Sequence, residues 1–263
     1  QGLSLTVAKL DDLRSSRLAA PTRAPAWPAA DSIRDPSKQA VPMPADPGHK
    51  AADTTKAGPQ PPPSTAFGVA LGGCIRAACE RLMEAEGELT EWDKKVGDGD
   101  CGMTFANGAR AVLGSLEQYQ LDDAAATATQ MGVTVGRNMG GTSGALYAIF
   151  FNAAAASLTA NPLDPKGTSA HIAGALAAAF EAGVGAMKEY GGADVGYGTM
   201  LDALIPAAGA LKDALQASLQ PREAMGRAVQ AAKEGADGTK TMTALAGRAS
   251  YVPGEAQQNI PDP

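Results

Sequence analysis

The stretch Asp93-Lys94-Lys95-Val96-Gly97-Asp98-Gly99-Asp100-Cys101-Gly102 sets three carboxylates around a turn rich in glycine. Carboxylate oxygens suit hard divalent cations, and glycine lets a backbone fold tightly enough for them to converge. Mg2+ held in this way completes its shell with water and substrate phosphates. A solvated acidic loop between helices would carry the same residues, so the pattern leaves both readings open. Gly97, Gly99 and Gly102 also fit G-x-G-x-x-G, but no hydrophobic strand precedes them, and Asp98 and Asp100 would repel a pyrophosphate. An EF-hand loop fails because the required glycine and closing glutamate are missing at their offsets. No GxxxxGKS or GxxxxGKT occurs, which excludes a P-loop.

Two further glycine-rich loops run into helix starts. Asn138-Met139-Gly140-Gly141-Thr142-Ser143-Gly144 opens an apolar segment from Ala145 to Phe151. Backbone amides, hydroxyl donors and the positive end of a helix dipole can hold an anion there, although an ordinary capped turn looks the same. Tyr190-Gly191-Gly192-Ala193 leads into Gly196-Tyr197-Gly198-Thr199-Met200-Leu201-Asp202 in the same manner. Three such loops are more than packing requires.

The elements that must position these loops are helical. Alanine and glycine make up about a third of the chain and aromatics 5%, a composition that suits closely packed helices better than sheets. Phe67, Leu71, Cys74, Ile75, Ala78 and Leu82 recur at spacings of three and four, predicting a helix that ends near Gly87. Further helices are expected at 102–119, 122–139, 142–157, 169–190, 199–217, 222–236 and 239–248. Asp122 and Ser169 are the expected caps, and Pro221 suits a first turn. Short Gly- or Pro-marked loops with no Val/Ile-rich strand between them predict one all-α domain with antiparallel neighbours.

Proline divides the chain, with 11 of its 18 residues between Pro21 and Pro63. Residues 28–64 cannot bury enough surface to offset ordering entropy and read as an extended or disordered linker. Gly2–Lys9 alternates like a strand, whether the trailing edge of an upstream domain, a strand lent to a partner, or a frayed terminus. A net charge of −6 argues against nucleic-acid or anionic-membrane binding. No apolar run reaches the roughly 18 residues of a membrane span, and the start shows no signal-peptide pattern. Cys74, Cys79 and Cys101 form no CxxC pair, so neither a disulfide framework nor a zinc site is expected, and a reducing, cytoplasmic setting is.

From about Thr65 to Pro263 the chain resembles the L-type nucleotide-binding domain of the dihydroxyacetone (glycerone) kinase family. The matching stretches are Val96–Gly102, Met139–Tyr147, Thr199–Ala207, Gly247–Val252 and Pro261–Pro263. Residues 1–27 resemble the end of the family's substrate-binding K-type domain. The resemblance implies an eight-helix antiparallel barrel over 65–263, preceded by a Pro-rich linker, with ATP at one open end. It implies that Asp93, Asp98 and Asp100 hold Mg2+. It places nucleotide contacts on Cys101, Gly102, Met103, Thr104, Thr142, Ser143, Gly191, Thr199, Met200, Asp262 and Pro263, and assigns no catalytic side chain to this segment.

The same resemblance implies transfer of the γ-phosphoryl group to a triose held by a K-type domain, supplied in cis or in trans. It also suggests lyase activity converting FAD to cyclic FMN, as in the family's triokinase/FMN cyclase type. Two departures stand out. The family holds its triose on a K-type histidine, and neither His49 nor His171 lies in a matching context. The loop Val195–Thr199 lacks the acidic and basic residues that the family usually places before its Thr-Met pair. That deficit predicts slow transfer, which Arg at 198 with Asp at 197 would reverse. The alternative is a non-catalytic structural or regulatory relative, acting within an assembly and retaining the fold.

Overall fold

A computed structural model describes residues 60–252 and 259–263, together with Asp12 and Ser16. The strand expected at Gly2–Lys9, the rest of the 1–27 tail, His49 and the linker before Gln60 lie outside the described residues. The helices are α1 (Ala66–Glu84), α2 (Glu86–Val96), α3 (Cys101–Ser115) and α4 (Ala124–Asn138), then α5 (Gly141–Ala160), α6 (Ser169–Gly191), α7 (Leu201–Gln216) and α8 (Pro221–Gly238). Among the described residues there is no strand, and the fold is all-α.

Two elements depart from expectation. Helix α2 carries too few apolar residues to show a stripe. Glu86 and Glu88 in its first turn and Lys94 and Lys95 in its last complement the helix dipole instead. Conversely, 239–248 is no helix: Thr239 and Thr241 donate their hydroxyls back to the carbonyls of Ala236 and Gly238. Such local bonds compete with helix continuation, and only short 3-10 turns remain at Thr239–Thr241 and Arg248–Tyr251.

The caps shift by one residue. Asp123, not Asp122, accepts the Ala126 amide at α4, and Thr168, not Ser169, accepts the His171 amide at α6. In both, the cap reaches the third amide beyond it. Asp122 instead ties two segments together, because its carboxylate accepts the backbone amides and hydroxyls of Ser64 and Thr65 at 2.6–3.1 Å. Thr65 in turn caps α1 through the Gly68 amide. The entry to α1 is thereby fastened to the α3–α4 connection.

Each of helices α4 to α7 packs against the next, with alanines at the α5–α6 and α7–α8 contacts. Ala154, Ala155, Leu158 and Ala179 join α5 to α6, Val184, Met187, Leu201 and Ala208 join α6 to α7, and Leu211, Ala214, Ala224 and Ala228 join α7 to α8. Ile75, Val112, Leu116 and Val135 knit α1, α3 and α4 into a further core. Phe67 of α1, Phe180 of α6, Leu211 of α7 and Val229 of α8 line a shared cavity of about 1150 Å³. By length and composition, α5 and α6 would each suit a membrane span, with mean hydropathy 1.3 over 18 residues. Asn152 and Glu181 interrupt them, so neither contains an unbroken apolar run of 18 residues, as the sequence led us to expect.

Hydrogen bonds from Thr65 and Ser64 hold the Asp122 carboxyl below the ordinary carboxylate range. A depressed carboxylate stabilises the fold above its unfolded-state pKa of about 3.9, and that contribution is lost as pH falls through the lower folded value. Asp122→Asn is therefore expected to lower Tm at neutral pH. The gap from the parent should narrow in melts repeated at decreasing pH below the unfolded value.

Candidate functional site

Near the end of helix α2 stands Asp93, which is 5% exposed and turns back so that Oδ2 accepts the Cys101 amide at 2.9 Å. Gly97 passes so close to the other carboxylate oxygen that a Cβ there would collide with it. The chain then runs through Asp98 to Asp100 and into α3. One oxygen from each of Asp93, Asp98 and Asp100 lies within 4.8 Å of the other two, and Asp98 and Asp100 are exposed. Like charges this close repel by ~1 kcal/mol per pair in water and several-fold more where water is excluded. Accordingly, burial first and the Asp98 charge next raise the Asp100 carboxyl above its ordinary range. Arg248 answers the charge from the far end of the chain, its Nη1 at 2.8 Å from Asp98 Oδ2. Oxygen donors that converge while two remain open to solvent fit Mg2+.

The start of α3 contributes backbone rather than side-chain chemistry. Burial, then the Asp93 charge, pushes the Cys101 thiol up to about 12, the opposite of the depression that activates a thiol. Gly102 is buried against α2, Met103 is exposed, and the Thr104 amide donates to the Asp100 carbonyl at 2.9 Å.

The C-terminal segment meets this corner. The Asp262 amide donates to Thr239 Oγ1 at 2.9 Å. The Asp262 carboxyl is raised to about 7 by burial and by the charges of Asp202 and Asp93. Tyr147 of α5 is raised to about 12 by burial, with Cys101 and Asp262 adding to it. Val96, Gly198, Thr239, Ala244 and Asp262 line one small recess. Pro263 follows, half-buried.

Leu146 of α5 gathers the third loop: it lies against Gly191 and packs in one cluster with Tyr197, Met200 and Leu201. Thr199 Oγ1 accepts the Leu201 amide at 3.2 Å. The structure thus brings Asp93, Asp98, Asp100, Cys101 and Asp262 into one polar group, and Gly191 and Met200 onto α5. Thr142 and Ser143, in the first turn of α5, join them only through that helix. Sequence reasoning left Arg248 without a role. The signal was a guanidinium within the matching Gly247–Val252 stretch.

Comparison with known proteins bears on the whole of this arrangement. The DAK2 domain model matches residues 95–263. The chain belongs to the DAK2 domain family. It is 44% identical over 264 residues to the "Putative 3,4-dihydroxy-2-butanone kinase" of Solanum lycopersicum, covering 100% of this chain and 43% of that protein. Triokinase/FMN cyclase of Homo sapiens is 36% identical over 265 residues, with the same coverage of each chain. A crystal structure of the dihydroxyacetone kinase from C. freundii in complex with AMP-PNP and Mg2+ shares 26% identity at a TM-score of 0.59. That match covers 94% of this chain and 41% of the other. The chain therefore spans about two fifths of the length of these relatives.

In this DAK2 domain the Val195–Thr199 loop is constrained by its backbone as well as lacking charge. Gly198 is buried at φ +66°, and a Cβ added there would lie 3.1 Å from the Ala244 Cα. The Leu245 amide donates to the Tyr197 carbonyl at 2.8 Å and pins the loop to that neighbour. An arginine at 198 would have to adopt a left-handed backbone against Ala244, so restoring the charge there is not a simple addition. Gly198→Arg is expected to cost about 1–2 kcal/mol of stability from the backbone alone. Urea denaturation measures this; a variant as stable as the parent would mean that the loop readily takes another shape.

Proposed function

We propose that this chain is the ATP·Mg2+-binding domain of a triose kinase. The observation that carries this reading is the convergence of Asp93, Asp98 and Asp100 beside Arg248 and the first turn of α3. Asp93, Asp98 and Asp100 hold Mg2+, which when bound offsets negative charge on the nucleotide phosphates. Cys101, Gly102, Met103, Thr104, Thr142, Ser143, Gly191, Thr199, Met200, Asp262 and Pro263 surround the nucleotide. Backbone amides at the starts of α3 and α5 bind anionic oxygens, and Arg248 adds the cation that a P-loop lysine would supply elsewhere.

The acceptor is dihydroxyacetone or a related triose, held by a K-type domain in cis or in trans. The coverage of about two fifths of the relatives' length supports that division. Conversion of FAD to cyclic FMN is a second activity of the same site, supported by the human relative's name. Three free thiols, Cys74, Cys79 and Cys101, support a reducing, cytoplasmic setting. The uncharged Val195–Gly198 loop favours a second reading, a non-catalytic relative that retains nucleotide binding.

Melts with Mg2+ and ADP separate these ideas. A ligand at 100 times its Kd adds about 2.7 kcal/mol of stability, so Tm should rise with Mg2+ and further with ADP·Mg2+. Asp98→Asn should remove most of the metal-dependent rise. No rise in the parent chain would remove the site. The isolated chain is expected not to phosphorylate dihydroxyacetone, because nothing holds the triose in line with the phosphoryl group. Turnover by the chain alone would put the triose site within it.

A further inference from the structure

We propose that Asp202 is a positioning residue whose buried carboxylate clamps the Gly196–Thr199 loop in the shape that presents Thr199 and Met200 to a nucleotide. Asp202 lies in the first turn of α7 and is 1% exposed. Its Oδ1 accepts the Gly196 amide at 2.5 Å and its Oδ2 the Thr199 amide at 2.8 Å. Its own amide donates to the Thr199 carbonyl at 2.9 Å, so Asp202 and Thr199 are tied in both directions. Among the described residues no lysine or arginine forms an ion pair with it.

A carboxylate so deeply buried is costly unless both oxygens are satisfied, and here loop amides satisfy both. The loop needs such an anchor. Gly196 and Gly198 hold φ of +89° and +66°, and glycine loses more conformational freedom on folding than any other residue. An asparagine of equal size could start α7 as well. It carries one acceptor oxygen, however, and would set its own N–H groups against one of the two amides. The negative charge is therefore explained by the two-amide clamp rather than by helix formation alone. The clamped loop borders the site, since Gly198 and Asp262 line one recess.

The nucleotide half of this inference rests on the proposed ADP·Mg2+ site, and two readouts keep the parts separate. Amide hydrogen exchange on the parent chain tests the clamp without any ligand. Gly196 and Thr199 are expected to be protected, and protection should be lost in Asp202→Asn. Exchange of both amides at the unprotected-chain rate in the parent overturns the clamp, whatever the variant does. Calorimetric titration then tests its purpose. Asp202→Asn is expected to weaken ADP·Mg2+ binding about tenfold or more, the loss of a hydrogen bond to a charged group, while Mn2+ alone binds as in the parent.

Asp122→Asn is the control, because it removes a comparable carboxylate anchor far from the loop and should lower Tm while leaving ADP affinity unchanged. Equal weakening of ADP in both variants would reduce Asp202 to general stability and overturn the positioning role. If Asp202→Asn does not fold, Asp202→Glu keeps both acceptors with a longer reach. It should bind Mn2+ normally and ADP·Mg2+ more weakly; unchanged ADP affinity there also overturns the role. A parent chain that binds Mn2+ but no ADP overturns the nucleotide reading, and with it the proposed purpose of the clamp, while exchange still decides the clamp itself.

Discussion

The functional end of this fold is governed by negative charge that must be held where water is scarce. Asp93 and Asp202 are buried, Asp262 is half-buried, and Asp98 and Asp100 stand at the edge with their oxygens close to that of Asp93. Three of these charges are offset by different devices. The first amide of α3 meets Asp93, loop amides before α7 meet Asp202, and Arg248 meets Asp98. Burial, then the charges of Asp202 and Asp93, raise the Asp262 carboxyl. A divalent cation and a polyphosphate would enter an electrostatic arrangement that already alternates acids with donors.

The helices behind the site make this arrangement possible by being thin. Alanines at the α5–α6 and α7–α8 contacts let helices approach closely. The turn before α3 and the loop before α7 then meet the C-terminal segment, where Val96, Gly198 and Asp262 line one recess. Leu211 and Ala228 of the α7–α8 contact also line the large cavity. Apolar residues meet along the helices, while Asp93, Asp98, Asp100 and Asp262 gather around the α2–α3 turn.

What could be read in the sequence was whatever repeats with a helical period. The stripe from Phe67 to Leu82 and the apolar run opening at Ala145 both became helices where expected. Helix α2 was illegible because it is held by charge at its ends rather than by an apolar face. The acidic turn was visible as a motif, but its geometry was not, since Asp93 reaches Cys101 only after α2 has formed and the chain has reversed at Gly97. Arg248 and Asp202 were missed for the same physical reason. A long-range ion pair and a carboxylate clamped to loop amides leave no periodic trace. Thr239 misled because an alanine- and glycine-flanked threonine run reads as helix until its hydroxyls bond backwards.

The Val195–Thr199 loop shows how charge and shape have been divided between two segments. Tyr197 buries much of its ring against the α6–α7 core, where a small carboxylate would leave a void and carry an unpaired charge. Gly198 then follows at positive φ beneath Ala244, which leaves no room for a long side chain without moving the Ala244–Leu245 segment. The loop is thus committed to packing and to backbone geometry. Positive charge at the site has to come from a segment with freedom to extend, and the exposed Arg248 side chain has that freedom. Because it approaches from the segment that Leu245 ties to Tyr197, the cation and the loop are mechanically joined. A displacement of one would carry the other, so loop shape and charge placement form a single property of this domain rather than two.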